Sequence, residues 1–348
     1  MSYTHIIRQI HRDDPAFLDI SGPQMIMVIK LTSTAFCIYD SNKDHKSFTS
    51  YQKRHVINEM PSILEFFGYV FFFPSLVAGP SFELSSYRKL IQLDDRKVQR
   101  TQNRMAYNNL LESIFWMVFY VCLSPYFSYD FMITTEYFSW NLLKSEGSCR
   151  LTGLGFDGFD DNQKPKWQSI SNINIKKIEF ATSQKEAVDS WNIGTNTWLR
   201  NYIYLRLLPK QGKSSSRAAL VTFIASAFWH GFYPGYYMTF FIGAMGSNAG
   251  RLLRRNLRPL VVLNSGNDTK TAGRRKTITK QVYDVLGWFI SLLVLNMYGS
   301  AFILLDFTKS VLAWQSLYFI PELGIMVILV AFQFLNVGKY LPRPSKQK

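Results

Sequence analysis

"SAFWHGFYPGYYMTFF", residues 226–241, places His230 in a run of aromatic, small and aliphatic residues without a charged side chain. The surrounding apolar run, 218–246, is 29 residues long. A helical bilayer crossing takes about 20 such residues. "YPG" at 233–235 interrupts the run, which predicts either one long kinked helix or two shorter passes. An imidazole in such a setting has two readings. It is a functional group kept despite its cost, or a side chain hydrogen-bonded between helices.

Further runs of the same kind lie at 21–39, 62–82, 109–133, 282–305 and 311–337. The 62–82 run contains Glu65 and Pro74, and "PELG" at 321–324 interrupts the last one. Such breaks survive in a bilayer only where protein or water satisfies the freed backbone groups. Together the runs predict an all-α, polytopic membrane protein. Aromatics make up 16% of the chain and cluster in these runs, while the mean hydropathy of −0.03 averages them with long polar connections. The N-terminus, "MSYTHIIRQIHRDDPAF", lacks the charged-then-apolar plan of a signal peptide.

The net charge is +15, and much of it lies beside the spans. The stretch 247–281, read as a basic loop, carries nine Lys and Arg against the single acid Asp268. A basic stretch of this kind suits nucleic acid or anionic lipid; its place between hydrophobic runs favours lipid and the positive-inside bias, so no nucleic-acid partner is expected. The tail 339–348 is also basic and carries no clean retrieval signal. Cys37, Cys122 and Cys149 show neither paired spacing nor a metal-ligand pattern, and no metal or bound cofactor is expected.

Residues 134–217 are too long for a plain connection. "GLGFDGFDDN" at 153–162 is glycine-rich but lacks the spacing of a phosphate-binding loop. It reads as a turn-rich connector or as an aromatic-lined loop over a substrate entrance. In "EFATSQKEAVDSWNIGTNTWLRNYIYLRL", 179–207, Ser183 and Glu186 have capping-box spacing. Trp191, Thr195, Trp198 and Tyr202 fall on one helical face, with Asn192 and Asn196 on an adjoining stripe. Those amides either satisfy neighbouring backbone or form a polar patch in an aromatic surface. Arg200, Arg206 and Lys210 follow, as interfacial anchors or as contacts for the phosphates of a nucleotide-like carrier.

Asn192 precedes His230 by 38 residues, enough for a helix, a turn and a return. Ala225, Ser226, Ala227 and Gly231 permit close approach beside the histidine. "SWNIGTNTWLRNYIYLRL" followed by "FWHGFYPGYYMTFF" resembles the membrane-bound O-acyltransferase superfamily. Within it the likeness is to lysophospholipid acyltransferases of the fungal broad-specificity branch. "LDISGPQMIMVIKLTSTAFCIYD" at 18–40, "PSILEFFGYVFFFPSLVAGPSFEL" at 61–84 and "GLGFDGFD" at 153–160 match that branch in the same order.

The resemblance implies a helical bundle with kinked and re-entrant helices around a central tunnel, forming one domain over 1–348. It implies catalysis by His230 and Asn192, with Asn196 as the alternative second residue and Trp191, Gly231 and Tyr236 in support. Acyl-CoA is then the donor substrate, a lysophospholipid the acceptor, and the endoplasmic reticulum membrane the site of residence. Relatives usually carry helices before the segment matching residue 18, so the chain is expected to be incomplete at its N-terminus. Three other readings stay open on sequence: a relative acylating a sterol, diacylglycerol or protein; a transporter; and a non-catalytic membrane protein.

Overall fold

The computed structural model describes residues 1–92 except 13, 15, 77 and 78, scattered positions from 103 to 122, residues 160 and 166, and 170–208, 215–263 and 278–341. All secondary structure among the described residues is helical. The expected run 109–133 lies largely outside them, as do Cys149, Lys210 and all of 153–162 except Asp160. The chain divides into two compact units.

The first unit comprises 1–175, 190–214 and 229–232. It opens with α1 (Ser2–Ile10) and the 21-residue α2 (Ser21–Ser41). Asp19 Oδ1 accepts from the Ser21 amide at 2.8 Å, and Pro23 sits in the first turn of α2, where its missing N–H costs nothing. Then come α3 (Ser50–His55), α4 (Ile63–Val70), α5 (Phe73–Leu76) and α6 (Leu84–Ile91). The apolar run 62–82 is thus broken rather than continuous. Pro74 lies inside α5, and Gly79-Pro80 falls outside any helix, before α6.

That break is held by a buried lysine. Lys30, fully buried in the middle of α2, donates from Nζ to the Tyr69 and Val70 carbonyls (3.0 and 3.3 Å) and to Ser75 Oγ (3.0 Å). The last carbonyls of a helix have no partner within it, and a cation at that end also meets the favourable end of the helix dipole. Around this point pack Ile29, Cys37, Tyr69, Leu84, Trp198, Tyr202 and Trp229.

The second unit comprises 176–189, 215–228 and 233–348. It holds α7 (Ile175–Glu179, beginning one residue earlier), α8 (Gln184–Ser190) and most of α10 (Ser216–His230). The long α11 (Pro234–Leu263) and α12 (Ile278–Leu304) follow. Thr239 Oγ1 on α11 donates to the Tyr298 carbonyl on α12 at 2.8 Å. A Cβ at Gly235 would collide with the Ala301 carbonyl oxygen, so glycine is what lets α11 start there.

The run 218–246 is therefore two helices separated at 231–233, with Pro234 opening the second. The run 311–337 is also split: α13 (Phe307–Ser316) and α14 (Ile320–Leu329) meet at a bend of 87° when the continuation of α14 to Phe334 is included. Pro321 occupies the first turn of α14, so the chain breaks just before "PELG" rather than within it.

The basic stretch 247–281 is not a loop over most of its length. Residues 247–263 continue α11, because Leu252, Leu253, Leu257 and Leu260 keep helical spacing while Arg251, Arg254, Arg255 and Arg258 take the exposed side. Residues 278–281 already belong to α12, and 264–277 lie outside the described residues, as does the tail from 342.

Among the described residues one helix, Lys280–Leu304, is long and apolar enough to cross a bilayer by itself, with mean hydropathy 1.6. Val282, Val285, Leu286, Phe289, Ile290 and Leu293 form an exposed apolar stripe along it. Ser291, Val294, Met297 and Ala301 are its buried side. An exposed stripe made wholly of apolar side chains suits a helix whose outer solvent is lipid.

Candidate active site

His230 is the last residue of α10, and the helix stops at Gly231. Gly231 has φ +131°, a conformation that side chains other than glycine rarely adopt. It is buried, and a Cβ there would lie 3.1 Å from Arg8 Nη2 and 3.2 Å from His5 Nδ1. Glycine is therefore needed for both the turn and the close approach. The preceding Trp229 fixes the orientation of this end: its indole donates to the Met25 carbonyl at 3.1 Å, and its ring lies 6.1 Å from Trp198. The Trp229 and His230 rings meet edge-on at 4.7 Å.

Asn192 belongs to the same unit as His230. The expected helix does not run through Trp191. Residues 191–192 form a bend, and α9 begins afterwards as Ile193–Trp198, passing into a π-helical turn at Leu199–Tyr204. Asn192 has φ 44° and ψ 55°, the left-handed region that asparagine tolerates better than most residues. Strained backbone of this kind concentrates at functional positions when its surroundings hold it in place.

Here the holding residue is Asn172, which is 2% exposed. Its carbonyl accepts from the Ile193 amide and its side-chain oxygen from the Gly194 amide, both at 2.8 Å. A Cβ on Gly194 would lie 2.7 Å from Ser81 Oγ and 3.3 Å from the Ser81 carbonyl oxygen, so Ser81 presses directly on this turn. Trp198, the last residue of α9, donates from its indole to Thr32 Oγ1 of α2 at 3.0 Å. The Trp198–Trp229 contact thus ties the element carrying Asn192 to the helix end carrying His230.

The other expected site residues divide. Trp191 and Asn196 are half-buried, beside the face on which Thr195, Trp198 and Tyr202 are buried. Tyr236 is buried in the second unit, its ring 4.8 Å from Phe302. Arg200 is exposed. Arg206 is not held out for a phosphate: it makes a two-pronged ion pair with buried Asp40, at 3.0 and 2.6 Å, and lies over the Phe36 ring. A guanidinium committed to a carboxylate in this geometry is charge-satisfied. The expected cap before α8 forms in modified shape. Ser183 Oγ accepts from the Glu186 amide (3.3 Å), while the Glu186 carboxylate reaches the amide of Thr182 rather than that of Ser183.

Several residues of this unit carry no local signature in the sequence. Glu83 is buried, accepts from Tyr51 Oη at 2.7 Å and from the Cys37 thiol at 3.9 Å, and the Cys37 sulfur sits 3.2 Å from Tyr202 Oη. His5 and Arg8 reach the backbone at Trp229 and His230. Lys30 alone had a readable signal, as an ionisable residue in the middle of an apolar run.

The sequence pattern of the membrane-bound O-acyltransferase family matches residues 17–135 and 126–300. A lysophospholipid acyltransferase of Schizosaccharomyces pombe is 33% identical over 94% of this chain and 69% of its own length. The lysophospholipid acyltransferase of Saccharomyces cerevisiae is 30% identical over 96% of this chain and 60% of its own. Human membrane-bound glycerophospholipid O-acyltransferase 2 is 30% identical over 90% of this chain and 64% of its own length. The chain thus spans between three fifths and seven tenths of these relatives.

Proposed function

The chain belongs to the membrane-bound O-acyltransferase family, and on that premise we propose that it moves a fatty acyl group from acyl-CoA to the free hydroxyl of a lysophospholipid. The observation that carries the reading is His230, set at the end of a helix that Gly231 terminates, inside the motif that the resemblance matches.

A hydroxyl is a poor nucleophile near neutral pH. His230 takes its proton as the oxygen attacks the thioester carbonyl carbon, a role worth about 10²–10⁴-fold. The tetrahedral intermediate collapses with cleavage of the C–S bond, and the imidazolium returns its proton to the departing CoA thiolate. Asn192, in its left-handed turn, orients the imidazole or donates to the oxyanion. No covalent acyl-enzyme is needed.

The membrane supplies the lysolipid and the acyl chain, and a tunnel through a polytopic bundle of the endoplasmic reticulum membrane brings them to His230. Anionic CoA approaches from the cytosolic side, where exposed Arg200 remains available to its phosphates. The test is a panel of acceptors offered with labelled acyl-CoA in detergent micelles. Labelled diacyl phospholipid from lysophosphatidylcholine or another lysolipid is the expected product. Label found only in sterol ester, triacylglycerol or protein overturns the acceptor assignment.

A further inference from the structure

The helix α1 precedes residue 17, where the family match begins, yet it ends on the backbone of the histidine motif. His5 Nε2 lies 3.1 Å from the Trp229 carbonyl oxygen, and Arg8 Nη2 donates to the His230 carbonyl at 3.1 Å. These are the last two carbonyls of α10, which no amide of that helix can satisfy. An unmade bond to such a buried carbonyl is costly, and a cation beside it is favoured by the helix dipole.

Because a carbonyl only accepts, Nε2 of His5 carries the proton and Nδ1 holds a lone pair. His5 is 1% exposed and its Nδ1 has no hydrogen-bond partner. Burial, with the neighbouring Arg8 cation second, lowers its pKa from the ordinary 6.5 and keeps it neutral. A neutral side chain is thus buried at the cost of one polar atom, and what it gains is the bond to Trp229.

The helix that presents these groups is itself tied down. Thr4 Oγ1 donates to Gln24 Oε1 at 2.6 Å, Arg8 Nη1 donates to Ser21 Oγ at 3.1 Å, and Asp19 lies 3.8 Å from the same guanidinium. Arg8 therefore bridges the N-terminus of α2 and the C-terminus of α10. The same two side chains close on Gly231, whose missing Cβ makes the approach possible.

We propose that His5 and Arg8 are positioning residues for His230, an external cap that fixes where α10 ends and hence where the imidazole stands. The inference rests on His230 as the base, and it assigns a catalytic consequence to a segment outside the family match. Misplacing a catalytic group by about 1 Å costs on the order of 10²-fold.

The test uses the full chain in micelles, with kcat and KM measured for acyl-CoA and lysophosphatidylcholine alongside the unfolding temperature. Arg8→Met and His5→Phe are expected to lower kcat by about 10- to 100-fold with both KM values nearly unchanged, the signature of a lost transition-state contribution. Arg8→Lys and His5→Gln, which can still donate to the same carbonyls, recover most of that loss. Unchanged kcat in Arg8→Met and His5→Phe, with His230→Ala inactive, overturns the positioning role and leaves the base standing. A kcat loss that follows the unfolding temperature and is not recovered by the donors also overturns it. Full activity in His230→Ala removes the base itself, and the positioning role with it.

Discussion

The two units of the molecule solve the problem of burial in opposite ways. In the first, short broken helices enclose ionisable groups: Lys30, Asp40 with Arg206, Glu83 and His5. In the second, the helices bury residues without charge such as Ala249, Val294, Met297, Ala301 and Trp314, and α12 turns an apolar stripe outward. Broken helices leave carbonyls and amides without partners, and charged side chains are the groups that meet them. Long helices satisfy their own backbone and need only packing. Both the Asn192 turn and the His230 helix end fall in the first unit, among its buried ionisable groups.

This contrast predicts that the first unit fails when charge is altered at constant shape and the second when volume is altered. Asp40→Asn strands the Arg206 guanidinium and is expected to cost about 3–5 kcal/mol of stability, read from denaturant unfolding in micelles. Lys30→Met removes the donor to the Val70 carbonyl, while the Tyr69 carbonyl keeps the Phe72 amide, and should cost about 1–3 kcal/mol by the same measurement. In the second unit, Ala301→Leu overfills a fully buried position and should cost about 1–3 kcal/mol. Phe289→Ala, on the exposed stripe of α12, should stay within about 0.5 kcal/mol in micelles. Comparable losses from Phe289→Ala and Asp40→Asn would erase the distinction.

Acid sharpens it further. His55, packed against Ser85 Oγ at 2.6 Å, has its pKa lowered from 6.5 to about 4 by burial first, then by Arg54 and Lys89. The unfolded chain takes up that proton as pH falls through 6.5, whereas the folded chain does so only near 4. Its share of stability is therefore complete above pH 6.5 and lost progressively down to about 4. His55→Gln should flatten stability between those limits, and an unchanged slope would show that His55 does not carry it.

Much of this architecture is legible in the chain itself. Pro234 and Pro321 announce helix starts, Pro74 and Gly79-Pro80 announce a broken run, and aromatic spacing identifies the buried side of α9. The resemblance directs attention to His230 and Asn192, which the structure draws into one unit. What the chain conceals is pairing at a distance. Asp40 and Arg206 are 166 residues apart, and Arg8 and His230 are 222 apart, so neither pair leaves a periodic trace. Arg206 and the arginines of 251–258 look alike as basic residues near apolar runs. One is sealed by a buried carboxylate and the others line an exposed helix face, a difference that depends on residues far away in sequence.

The central claim is that His230 removes the acceptor's proton, and its most direct test is kcat for acyl transfer to lysophosphatidylcholine by the full chain and its His230→Ala form at matched amounts. The account predicts a loss of about 10²–10⁴-fold with the folded chain intact. Equal kcat in the two proteins would contradict it.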